Sequence, residues 1–192
     1  MNRWFVSDWH LGHENIIKYA NRPFKDAKEM DDCLLTYHNE LVKSSDHYSN
    51  LGDVTMLRGG RVQREAFCKQ VKRFNGHARL FLGNHDHFPI QTYVDAGFEK
   101  IYATWRDESG ILFSHYPIHS SSLGSAIANV HGHIHQNKSP EPVMTIDKKT
   151  QRVRYQPYVN ISVEAIGYKP VNYDTLLQMI RTAVGQWEGV KV

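Results

Sequence analysis

The sequence predicts a mixed α/β fold in which two β-sheets pack face to face between helices. Three observations carry that prediction. Over the first half, short apolar runs alternate with amphipathic helical stretches in the order strand, helix, strand, helix, strand, which argues for parallel strands with helices on their faces. From Phe98 onward the pattern changes to successive short strand-like runs with polar turns. The 192 residues, 41% apolar and 22% charged, are enough to bury a core without disulfides, so a single domain over residues 1–192 is expected.

Each element has its own signal. Trp4-Phe5-Val6 does not alternate and reads as a short strand buried on both faces, ending in the loop from Ser7 to His13. A helix is expected over about 26–43, because Met30, Cys33, Leu34, Tyr37 and Leu41 recur at helical spacing and Asp26 followed by Glu29 resembles a capping box. Residues 47–51 form the second strand and deliver Gly52-Asp53. After Gly59-Gly60 a second helix is expected over about 62–74, closed by Asn75-Gly76. Arg79-Leu80-Phe81-Leu82 is the third strand and delivers Gly83-Asn84-His85-Asp86. In the second half, residues 101–103, 111–113, 129–130, 143–146, 153–155 and 159–161 read as strands. The last helix is expected over 173–187, with Asn172 as N-cap and Leu176, Leu177, Ile180 and Val184 as its apolar stripe.

Composition narrows the function classes. The net charge of +3 is compatible with anionic substrates but does not demand a nucleic-acid partner. The two cysteines, Cys33 and Cys68, both fall in helical stretches and read as small buried apolar residues of a reducing compartment. No apolar run reaches membrane-spanning length and the chain opens directly in a strand, so a cytoplasmic location without membrane contact is expected. Oligomeric state leaves no signal in the sequence.

The chemistry lies in loops that follow strands. Asp8, His10, Asp53, Asn84, His85 and His133/His135 sit in Gly-punctuated segments, and His115 follows Ile111-Leu112-Phe113-Ser114. Buried ionisable groups cost free energy unless they are paired or bind metal. Imidazole, carboxylate and amide oxygen without thiolate suit divalent Mn, Fe, Zn or Ni, and two such ions a few ångströms apart make a phosphoester hydrolase. In open α/β sheets ligands bind beyond the carboxyl ends of the strands, where these loops converge. In extended backbone, residues two apart point the same way, which lets Asp8 with His10, and His133 with His135, face one shared centre.

In order and content these motifs resemble those of the calcineurin-like metallophosphoesterase superfamily, whose pattern is Asp-x-His, Gly-Asp-x-x-Asp, Gly-Asn-His-Asp/Glu, His and Gly-His-x-His. The matches span residues 8 to 135. The resemblance implies a four-layer sandwich of two mixed β-sheets flanked by helices, as in the small bacterial and phage members. It implies two divalent metal ions, Mn²⁺ first and Fe, Zn or Ni as alternatives. Asp8, His10, Asp53 and His135 would hold one ion, and Asp53, Asn84, His115 and His133 the other, with Asp53 bridging. The implied activity is hydrolysis of phosphate diesters or monoesters by a hydroxide between the metals, with His85 assisting the leaving group. Asp86 would orient an imidazole of the site. One departure stands out: where the family often has a second acid, three residues after the bridging Asp, this chain has Met56. The alternative readings are a metal-dependent nuclease and, in another class, a scaffold that kept the fold without the chemistry.

Around this set, several residues have two readings. His13 and His119 are candidates for substrate contact or for solvated surface positions. Arg58 and Arg61 would bind a substrate anion at a helix start or form part of a solvated basic face with Arg64, Lys69, Lys72 and Arg73. His87 reads as solvent-facing or supporting, Trp9 as a packing wedge or pocket rim, and His38, His47 and His77 as residues without a role in the site. Ser120, Ser121 and Ser122 form a polar loop with no base placed for a nucleophile. The expected rim of an open site comprises residues 54–60, 87–97 and 116–125.

Overall fold

The computed structural model describes residues 1–146, 151 and 153–188. In chain order it contains β1 (Arg3–Val6), α1 (Glu14–Tyr19), α2 (Ala27–Leu41), β2 (His47–Asn50), α3 (Arg61–Val71), β3 (His77–Phe81), α4 (Ile90–Asp95) and β4 (Phe98–Tyr102). There follow β5 (Thr104–Arg106), β6 (Ile111–Ser114), β7 (Ala128–His131), β8 (Val143–Ile146), β9 (Val153–Gln156), β10 (Tyr158–Asn160), β11 (Val171–Asn172) and α5 (Tyr173–Glu188). One sheet has the order β11-β1-β2-β3-β4, a second the order β10-β7-β6-β5, and β8 pairs with β9. Strands β1 to β4 run parallel, as do β10, β7 and β6, while β11 and β5 run antiparallel to their neighbours. This is the expected mixed α/β architecture, two sheets flanked by helices.

Strand alternation divides the core. Val6, Ala78 and Leu80 point to one face of the first sheet and meet Met30 and Leu34 of α2, Phe67 and Val71 of α3 and Tyr93 of α4. Phe5 and Phe81 point to the other face and meet Ile111 and Phe113 of β6 and Ala128 and Val130 of β7. The Phe5 and Phe113 rings stack at 5.0 Å, and Leu176 and Ile180 of α5 complete this layer. A fully buried Phe contributes roughly 1.5–3 kcal/mol, so the packing of the two sheets rests on a few such rings.

Local chemistry sets the helix ends. Asp26 accepts a hydrogen bond from the Glu29 amide at 2.7 Å and starts α2 as the sequence predicts. Helix α3 ends at Val71, short of the expected Phe74, because the chain turns to stack Phe74 on Trp9 at 4.1 Å. Cys33 and Cys68 lie on α2 and α3 but are half-buried rather than buried, at positions flanking the core-facing stripe. Among the described residues no helix is long and apolar enough to cross a membrane.

The carboxyl ends of β1, β2 and β3 in one sheet and of β6 and β7 in the other meet along one edge. There the β1–β2 pairing continues into the loops: the Asp8, His10 and Leu11 amides donate to Gly52, Asp53 and Val54 carbonyls at 3.0, 2.9 and 2.9 Å. These bonds fix the two loops against each other.

Candidate metal centre

Two clusters form at this edge. Asp8, His10 and His135 each offer a ligand atom within 4.8 Å of the others, and Asp53, His115 and His133 do the same. Asp53 lies between the clusters, with Oδ2 3.5 Å from His10 Nε2 and 3.4 Å from His115 Nε2. Its Oδ1 accepts from the His85 amide at 2.8 Å. Asn84 Oδ1 stands 3.1 Å from His115 Nε2. The His133 amide donates to Asp8 Oδ2 at 2.9 Å, which ties the β7 loop to the β1 loop.

The backbone is strained here. Asp8, His10, Asp53, His133 and His135 have φ of 61°, 52°, 53°, 72° and 51°, in the left-handed region that non-glycine residues rarely adopt. Each such residue costs on the order of 1 kcal/mol or more, and such strain concentrates at functional sites. Glycine is required beside them. A Cβ on Gly132 would collide with Ser7 Oγ and Asp8 Oδ2, and one on Gly52, where φ is 98°, would lie 2.6 Å from His115 Nδ1.

The donor set fits divalent cations. His10 is 1% exposed, and neither ring nitrogen has a hydrogen-bond partner. Burial pushes its pKa down to about 2, so the imidazole is neutral with a lone pair available, the form that ligates metals. At Asp53 burial pushes upward, but the hydrogen bond and charge of His115, with His10, outweigh it and hold the carboxyl at about 2. His115 Nδ1 contacts the Leu51 carbonyl at 2.7 Å, which leaves Nε2 facing Asp53 and Asn84. Two oxygens and an imidazole nitrogen this close together are a donor set that could hold a cation.

Several expectations need correction. The spacing argument that turned His133 and His135 to one centre fails, while the division the resemblance implied holds: His135 joins Asp8 and His10, and His133 joins Asp53 and His115. The segment is a tight turn, with the Ile134 amide bonded to the Gly132 carbonyl, so the extended-chain rule does not hold. Asp86 orients no imidazole. Its carboxylate accepts from the amides of Asp53, Val54 and Gly83 at 2.9, 3.0 and 2.9 Å and so clamps the β2 loop to the β3 loop. Arg61 is turned away, paired with Glu65 at 2.6 Å with its side chain 86% exposed. Arg58 reaches the site's margin through His87, Nη2 to Nε2 at 2.7 Å. His119 is exposed and spends Nδ1 capping its own turn at Ser121.

The cleft beside the clusters measures about 450 Å³ and is lined by His10, His13, Ile16, Met56, His85 and His135, among others. Of the expected rim segments only Met56 lines this cleft. The wall is instead formed by residues 13–20 and 135–137, because α1 folds over the loop after β1. Tyr116 also packs its ring on His115 at 4.9 Å and on His133 at 4.6 Å. Trp9 is a packing wedge, 1% exposed.

Arg22 and Glu164 escape the sequence reading altogether. Glu164 Oε1 stands 3.0 Å from His135 Nδ1, and Arg22 Nη2 is 2.7 Å from the same oxygen. Neither residue belongs to a motif; an Arg in a loop before proline carries no signal of burial.

The comparisons give a family. The uncharacterized protein MJ1445 of Methanocaldococcus jannaschii is 31% identical over 179 residues, which cover 92% of this chain and 90% of that protein. The chain belongs to the family of this archaeal protein. No family model matches. The Aquifex aeolicus protein of unknown function AQ665 shares the fold, with a TM-score of 0.65 and 24% identity over 93% of this chain and 98% of that one. Pseudomonas putida nuclease MPE matches 81% of this chain and 72% of its own at 18% identity and a TM-score of 0.49, too loose a likeness to bear on activity.

Proposed function

We propose that the chain is a metal-dependent phosphoesterase of the calcineurin-like superfamily, with two cation positions that share Asp53. The reading rests on His10, a buried neutral imidazole with no hydrogen bond on its ring, set among the carboxylates of Asp8 and Asp53 and the imidazoles of His13, His85 and His135. Asp8, His10, Asp53 and His135 hold one cation; Asp53, Asn84, His115 and His133 hold the other. Bound divalent ions supply a water acidic enough to ionise near neutral pH and positive charge against phosphoryl oxygens.

The protein's own residues do the rest. Asp86 and the β1–β2 loop pairing keep Asp53 fixed relative to Asp8 and His10. His85 lines the cleft with its ring 5.4 Å from that of His10 and places a proton donor beside a bound phosphoryl group, where it meets the leaving oxygen. His13 stands beside His10, ring to ring at 5.5 Å, and contacts the substrate at the cleft mouth. A cleft of about 450 Å³ admits a small phosphate ester or the end of a larger one. Chelated protein reloaded with Mn²⁺ and offered bis-p-nitrophenyl phosphate beside p-nitrophenyl phosphate tests the reading. Metal-dependent release of nitrophenol is expected from at least one. Silence on both with metal bound favours the inactive scaffold.

A further inference from the structure

The two clusters differ in what stands behind their imidazoles. His115 turns Nδ1 to a neutral acceptor, the Leu51 carbonyl, at 2.7 Å. His135 turns Nδ1 to a carboxylate, Glu164 Oε1, at 3.0 Å. A carboxylate behind a ligating imidazole fixes the tautomer and raises the basicity of the other ring nitrogen more than a carbonyl does. Glu164 is itself held by Arg22, whose Nε and Nη2 reach Oε1 at 2.9 and 2.7 Å. The same guanidinium donates to the backbone carbonyls of Trp9 and Asp8 at 2.9 and 2.8 Å. One buried ion pair, with side chains 0% and 3% exposed, therefore joins the loop that displays Asp8 and His10 to the imidazole of His135.

We propose that Glu164, gripped by Arg22, is a positioning residue that makes Asp8–His10–His135 the tighter of the two cation positions, so that it fills first. The proposal rests on the reading that both clusters hold cations. Charge works in the same direction as geometry: Glu164 offsets the Arg22 charge, which would otherwise repel a cation in the nearer cluster. A purely structural ion pair would change stability alone, and an apolar pair of similar volume often serves a buried location as well.

The test begins with the unmodified protein. Chelated wild-type protein labelled with ¹⁵N receives Zn²⁺ in steps, and the imidazole signals are followed by NMR. The first equivalent shifts the His10 and His135 rings, and the second shifts His115 and His133. Titration calorimetry then compares wild type with Glu164→Gln and with the double variant Arg22→Met, Glu164→Gln, which leaves no buried charge unpaired. The tight step weakens about 10- to 100-fold in both, while the weaker step moves by less than about threefold. Simultaneous filling, or filling of the His115 cluster first, overturns the proposal. So do an unchanged tight step and an equal loss in both steps. If the wild type binds no Zn²⁺, the metal reading itself falls and the proposal with it.

Discussion

Among the clefts of this molecule that are rich in ionisable side chains, two are built in opposite ways. The larger, about 600 Å³, lies between α3 and α4 and is lined by Arg61, Arg64, Glu65, Lys69, Lys72 and Asp95, among others. Its charges face water, and Arg61 and Glu65 pair in the ordinary way four residues apart along a helix. Nothing there is strained or unsatisfied. The smaller cleft, about 450 Å³, is lined by buried His10, with no hydrogen bond on its ring, and by His135; both are in left-handed backbone, as are Asp8, Asp53 and His133 behind them. Both features cost free energy in the protein alone, and a fold keeps them where a bound group compensates. Unsatisfied burial and backbone strain, not size or charge density, set the proposed metal cleft apart.

Substitutions should separate the two clefts in order of effect. Asp53→Asn removes the charge shared by both clusters, so metal content after reloading should fall from two ions per chain to less than one by elemental analysis. Two retained ions would refute the shared role. His85→Ala should keep both ions and lose about 10²- to 10⁴-fold in turnover, the range for general acid catalysis. The loss should be smaller for a nitrophenyl ester than for an alkyl ester; equal losses would assign His85 to charge stabilisation instead.

A third contrast uses acid. His38 is also a buried histidine, but one of its two ring nitrogens is satisfied: Nε2 meets the Asn75 carbonyl at 2.9 Å while Nδ1 has no partner, and the ring packs edge-on against Trp9, Tyr48 and Phe74. Burial pushes its pKa down to about 4. The unfolded chain therefore binds this proton more readily, and stability present above pH 6.5 is lost as pH falls toward 4, at up to about 1.4 kcal/mol per pH unit. Thermal melts of metal-free protein should show a shallower acid dependence for His38→Gln than for wild type; parallel curves would contradict this. The smallest effect belongs to the larger cleft. Arg61→Ala and Arg64→Ala should change small-ester turnover by less than about twofold and stability by less than about 0.5 kcal/mol. A tenfold loss confined to polynucleotide substrates would revive the nuclease alternative.

What the sequence made legible was local. Asp8, His10, Asp53 and Asn84 each follow a short strand within a few residues, so strand signals and ligand types coincide in one stretch of chain. Asp26 announced the start of α2 for the same reason. What escaped depends on contacts between distant segments. Asp86 clamps amides at residues 53 and 54, more than thirty positions earlier. Arg22 and Glu164 meet across 142 residues. Helices α1 and α4 have six residues each, too few for a periodic pattern, and β11 is two residues held by pairing with β1. The split of His133 from His135 between the clusters agrees with the motif resemblance, whereas the turn that produces it shows only in the folded backbone.

The most direct test of the central claim is hydrolysis of bis-p-nitrophenyl phosphate, with p-nitrophenyl phosphate in parallel, as Mn²⁺ is added back to chelated protein in measured equivalents. A shared dinuclear site predicts no rate without metal and a rise that saturates near two equivalents, abolished in Asp53→Asn. A rate that survives chelation, or no rate on either ester with two equivalents bound, would contradict it.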